Sequence, residues 1–171
     1  MIWIQLIGLI GFLFLLLSFW FKKKKQIIFM QIIANIFLSI HYWLLNAMSG
    51  SIICVFTVIR NICLYDKKDK KTIIFYGIIF TMIFTFIGMI MYDGLVSLIP
   101  TIATIFATYI LLKDDVNDIR IGNVLVSLMW IIYNFFVGSY IGIINETILA
   151  ISNIAAYEKY KVLKRKSKSK R

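Results

Sequence analysis

The sequence predicts an all-α integral membrane protein of seven transmembrane helices, built as two parallel three-helix repeats joined by a linker helix. Three observations predict it. The 171 residues are 61% hydrophobic with a mean hydropathy of +0.87, a composition for which lipid rather than water is the main solvent. The apolar residues fall into seven runs, most of them near the roughly 17–25 residues a spanning helix needs. The basic residues behind the net charge of +11 gather in alternate connections.

The runs are 2–21, 26–46, 50–65, 72–91, 95–112, 119–137 and 139–157. The first is followed by its basic cluster, Lys22 to Lys25, and shows no small-residue cleavage site. It therefore reads as a retained helix and not as a secretion signal. Lys67, Lys68, Lys70 and Lys71 separate the third and fourth runs, and Lys113 and Arg120 flank the connection between the fifth and sixth. Eight more basic residues follow the seventh run. These groups hold 18 of the 19 basic residues; the last, Arg60, lies inside the third run. The connections 46–50, 92–94 and 137–139 carry no Lys or Arg. The positive-inside rule then places the N-terminus outside and the C-terminus in the cytoplasm.

The second and third runs echo the sixth and seventh. At an offset of 88, Asn35, Ser39, Asn46, Gly50, Ser51 and Ile53 match Asn123, Ser127, Asn134, Gly138, Ser139 and Ile141. After four inserted residues, Asn61 and Tyr65 match Asn153 and Tyr157. The expected organisation is a first repeat over 1–65, a loop and linker helix over 66–94, a second repeat over 95–157 and a basic cytoplasmic tail over 158–171. Each repeat starts outside and ends inside, and the linker helix restores the direction. The repeats are thus related by an axis along the membrane normal.

Helical spacing puts polar residues in narrow stripes. They are Gln31, Asn35, Ser39, Tyr42 and Asn46 on the second helix; Thr57 and Asn61 on the third; Ser97, Thr101, Thr104 and Thr108 on the fifth; Asn123, Ser127, Trp130 and Asn134 on the sixth; and Glu146 and Asn153 on the seventh. Two readings are open. Such stripes let helices pack and hydrogen-bond, or they line an aqueous path between the two bundles. Arg60 and Glu146 sharpen the choice. With Gly50 and Gly138 as outer boundaries they lie about 15 and 12 Å deep, where an unpaired charge costs at least about 2.5–3.5 kcal/mol. They form either a structural ion pair or a site for a charged group or a proton. His41, the one histidine, reads more simply as a residue hydrogen-bonding a neighbouring helix or headgroup than as a metal ligand, with a proton role as the further reading. Pro100, the one proline, is a kink or a hinge.

Several function classes are excluded or disfavoured. Cys54 and Cys63 are nine residues apart on one helix, about 13.5 Å, too far for a disulfide. No Cys/His cluster has metal-ligand spacing, and no nucleophile motif or phosphate loop is present. No metal, cofactor or enzymatic activity is expected. The basic tail reads as a topology anchor, then as a binder of anionic lipid headgroups; without a folded cytoplasmic domain beside it, nucleic acid is not an expected partner. Homo-oligomers are compatible with the sequence.

Trp130 and Asn134, followed by Gly138, Ser139, Gly142 and Glu146, together with the lysine cluster, Gln31, His41, Gly50, Arg60 and Asn61, resemble the YgjV family of bacterial inner-membrane proteins over nearly the whole chain. The three-one-three repeat is also similar to the SWEET and PQ-loop sugar and amino-acid carriers. That second resemblance implies substrate contacts at Asn61, Asn153 and Trp130. The Pro-Gln motif of those carriers is absent, since Thr101 follows Pro100 and the first helix has no proline. The function expected is small-molecule transport by alternating access in the bacterial inner membrane. Asn61, Asn153, Trp130 and Glu146 would bind substrate, supported by Arg60, His41, Asn35, Asn123 and Asn134, with Pro100 as hinge. The alternative is a non-transporting accessory or lipid-interacting membrane protein.

Overall fold

The computed structural model describes residues 2–18, 21, 24–66, 69–110 and 116–168. These form seven α-helices and, among the described residues, no strand: α1 (Ile2–Ser18), α2 (Lys24–Leu44), α3 (Met48–Leu64), α4 (Lys70–Ile90), α5 (Leu95–Ile110), α6 (Val116–Val137) and α7 (Tyr140–Lys168). Lys22, Lys23, Lys67, Lys68 and Lys113 lie outside the described residues, as do the side chains of Lys24 and of the tail from 161 onward. Three helices, α2, α4 and α6, are long and apolar enough to cross a membrane by themselves. The apolar helices α1, α3 and α5 have 17, 17 and 16 residues, about 24–26 Å of rise against a hydrocarbon core of about 30 Å.

The turns explain where the helices stop. Asn46 and Gly138 both adopt positive φ, 57° and 72°. The next amide in each case reaches back five residues: Ala47 N donates to the Tyr42 carbonyl and Ser139 N to the Asn134 carbonyl, each at 2.9 Å. This is the glycine-type helix stop, in which a left-handed residue lets the chain satisfy its last carbonyls. The two stops are 92 residues apart, whereas the sequence match leading up to them runs at an offset of 88. Gly138 is a turn residue and Gly50 lies inside α3, so the two glycines do not hold like places. The depths change accordingly. Arg60 is twelve residues past the start of α3, about 18 Å, and Glu146 six past the start of α7, about 9 Å.

A second difference is the length of α7. It runs to Lys168, well past the expected end at 157, because lysine, arginine and leucine are good helix formers and nothing in the segment breaks the helix. At the end of the bundle where α7 finishes, Asp69 caps α4. Its carboxylate accepts from Thr72 N at 2.9 Å and from Thr72 Oγ1 at 3.0 Å, bonds that hold its carboxyl below the ordinary aspartate range.

Around the bundle, α1, α2, α3, α5, α6 and α7 each pack on the next, and α7 returns to α1. The linker α4 packs on α3 and α5 outside this ring. Close approach of α1 and α2 depends on Gly8 and Gly11: a Cβ on Gly8 would meet the His41 ring at 2.8 Å, and one on Gly11 the Ala34 carbonyl at 3.1 Å. Many stripe residues bond back to their own helix. Asn35 Nδ2 donates to the Gln31 carbonyl, Thr57 Oγ1 to Ile53, Thr108 Oγ1 to Thr104 and Asn153 Nδ2 to Leu149, all at 2.7–2.9 Å. Such bonds pay the polar desolvation cost within one helix, so these stripes need no partner helix to be tolerated.

Candidate functional site

The ring leaves α2 and α6 on opposite sides of a central space. Among the described residues they meet through side chains and not through backbone contact. The space is a cavity of about 230 Å³ with walls from all six ring helices. Leu15 comes from α1; Gln31 and Asn35 from α2; Thr57, Arg60 and Asn61 from α3; Thr104 and Ala107 from α5; Asn123, Val126, Ser127 and Trp130 from α6; and Glu146, Leu149 and Asn153 from α7. Polar groups therefore converge in the middle of the bundle, while Ile36, Ile62, Phe106 and Ile151 point outward.

Two ionisable groups are buried at this cavity, Arg60 at 5% exposure and Glu146 at 8%. No ion pair joins them among the described residues. Arg60 is instead held by neutral acceptors. Nη1 donates to Thr108 Oγ1 at 2.8 Å, and Nη2 and Nε share Asn61 Oδ1 at 3.2 and 3.4 Å. Guanidinium nitrogens only donate, so Asn61 must turn its oxygen to Arg60 and its Nδ2 away; that buried Nδ2 has no partner. Glu146 lies beside the Ser127 and Asn145 side chains.

Toward the α2–α3 and α6–α7 turns the cavity ends at three aromatic rings. Trp130 stacks on Tyr42 at 5.7 Å and 23°, and Tyr133 meets both edge-on, at 5.7 and 5.6 Å. Behind the rings lies a hydrogen-bonded layer. Tyr42 Oη donates to Asn134 Oδ1 at 2.8 Å. His41 Nδ1 donates to the Ile4 carbonyl at 2.8 Å, which leaves Nε2 to accept from Ser139 Oγ at 2.7 Å. Tyr133 Oη accepts from Gly50 N at 2.9 Å and so caps α3 from another helix. Gln5 does the same for α7, accepting from Ile141 N at 3.3 Å while donating to the Gly138 carbonyl at 3.0 Å.

The structure thus sorts the residues singled out from the sequence. Asn61, Asn153, Trp130, Glu146, Arg60, Asn35 and Asn123 share the cavity. His41 and Asn134 belong to the layer behind the aromatic rings. Pro100 is buried within α5, away from the cavity wall. Tyr133 was not in any polar stripe, although it is among the most buried side chains; its signal was a tyrosine one turn from Trp130 with a hydroxyl that a membrane interior obliges to find a partner. Asn145, buried with both amide atoms unpartnered, was also missed. No group of three or more His, Cys, Asp or Glu that could hold a metal occurs among the described residues.

A family model described as Imp-YgjV, bacterial inner membrane protein, matches residues 2–164. No curated protein and no solved structure matches the chain. With seven helices, six of them apolar by composition, and this match over nearly its full length, the chain belongs to the Imp-YgjV family of bacterial inner membrane proteins.

Proposed function

We propose that the protein is a small-molecule carrier whose substrate occupies the central cavity. The observation that carries this reading is the cavity itself. A polar chamber with two charges, in a protein whose outer faces are apolar, is costly unless it holds water or a polar ligand. Two three-helix units, 1–65 and 95–157, would rock about the α1–α7 and α3–α5 contacts, with α4 as linker. The likeness of those two contacts supports it: each joins the first helix of one unit to the third of the other. Basic clusters orient the molecule with the C-terminus in the cytoplasm, so the aromatic rings close the outer side and the structure corresponds to a state closed outward. Asn61, Asn153, Trp130 and Glu146 contact substrate, Arg60, Asn35 and Asn123 support it, and His41 and Asn134 hold the outer seal. The basic tail rests on anionic headgroups. No catalytic step is assigned.

The test is uptake by purified protein in liposomes, over labelled sugars, amino acids, nucleosides and organic cations, with and without a proton gradient. Uptake of one class, lost in folded Asn61→Ala/Asn153→Ala protein, is the expected result. A second reading, a lipid-interacting accessory protein, is favoured by one feature: a groove of about 550 Å³ between α3 and α4 lined entirely by apolar side chains, including Phe56, Met82 and Phe86. Absence of uptake from demonstrably folded protein would leave that reading.

A further inference from the structure

The cavity has two chemically opposite poles, and the geometry points to a zwitterionic ligand of amino-acid size bridging them. The inference rests on the carrier reading above and names its substrate class. At one pole every available group donates. Arg60 has five N–H groups, of which three are engaged with Thr108 and Asn61. The remaining two, together with the unpartnered Nδ2 of Asn61, form a donor set suited to a carboxylate. At the other pole Glu146 brings a carboxylate. Asn153 and Asn35 each spend one of two amide N–H groups on their own helix and keep one N–H and a carbonyl oxygen. The ammonium group of the ligand finds its counter-charge at Glu146.

Arg60 and Glu146 line the same cavity, so one ligand can meet both. A cavity of about 230 Å³ holds on the order of eight waters, which a ligand of on the order of ten non-hydrogen atoms replaces; a disaccharide is too large. A neutral monosaccharide fits by size, but leaves both charges without a counter-charge in a low-dielectric site.

The test is equilibrium binding by calorimetry to purified full-length protein in nanodiscs. The probes are L-alanine, L-serine, L-leucine and L-glutamine, each against its carboxamide and its deaminated acid, with D-glucose alongside. The expected result is binding of at least one amino acid, weakened about tenfold or more in both of its single-charge analogues. Glu146→Gln is expected to weaken the amino acid and leave the deaminated acid unchanged; Asn61→Ala is expected to weaken both. Binding of glucose with none of the amino acids overturns the zwitterion assignment and leaves the carrier reading standing. Equal affinity for an amino acid and its carboxamide overturns it as well. Absence of binding by every probe, with no uptake of any class in liposomes, overturns both.

Discussion

At the scale of single residues, the membrane interior makes each polar atom accountable. His41 shows how strictly. A carbonyl on one side fixes its tautomer, and the remaining nitrogen can then only accept, so Ser139 has to donate. Ser139→Ala should leave that buried nitrogen unsatisfied and lower stability by about 1–3 kcal/mol, read as an earlier thermal unfolding transition in detergent. Tyr133→Phe keeps the ring stack and deletes the cap on α3. It should cost about 1 kcal/mol by the same measurement, with cavity binding retained. Asn61 and Asn153 were legible from the sequence because asparagines at matching places in an apolar background are not a product of composition. What each amide presents was not legible. It depends on which neighbour the oxygen faces, and Arg60 is one residue away in sequence but turns out to be the partner that decides.

At the scale of elements, the helices were mostly visible and their ends were not. Apolar runs report where lipid can be, whereas a helix stops where the backbone can turn. The glycines at 50 and 138 looked equivalent because both sit near a run's start. Only φ distinguishes the turn residue from the one packed inside a helix. Gly50 lies under the Tyr133 hydroxyl, and a Cβ there would come within 2.6 Å of it. Gly50→Ala should therefore force the aromatic rings apart and destabilise the fold by about 1–3 kcal/mol, seen as a lower unfolding temperature and a changed Trp130 fluorescence. At the other end, α4 depends on Asp69 being ionised. Its carboxyl is held below the ordinary value, so the cap's contribution is full above that value, about pH 4, and fades as pH falls through the lowered one. Asp69→Asn should remove this acid sensitivity locally, which amide hydrogen exchange at Thr72 would register.

At the scale of the whole molecule, the six-helix ring with a polar centre follows from the stripes, but the placement of the seal does not. Stripe residues from the same helix divide between chamber and seal: on α2 Asn35 faces the chamber and Tyr42 belongs to the rings, and on α6 Asn123 faces the chamber and Asn134 lies behind the rings. Periodicity assigns a face, and depth along that face is set by where the neighbouring helix begins. A native reporter sits at the seal: Cys54 is buried beside Tyr42 and Tyr133. With Cys63→Ser as background, Tyr42→Ala/Trp130→Ala should make Cys54 reactive to a membrane-impermeant maleimide added from outside, about tenfold faster than with the rings intact. An unchanged rate in folded protein would place the barrier elsewhere.

The Gln5 bond has a consequence in time. Its partners at the α6–α7 turn lie 133 and 136 residues later in the chain. At about 5–20 residues per second of synthesis, α1 waits on the order of ten seconds before those partners exist. Throughout that interval its amide has to find a stand-in, in water or lipid headgroups near the surface. His41 waits similarly for Ser139, 98 residues on. The ring therefore closes last, when α7 packs back on α1.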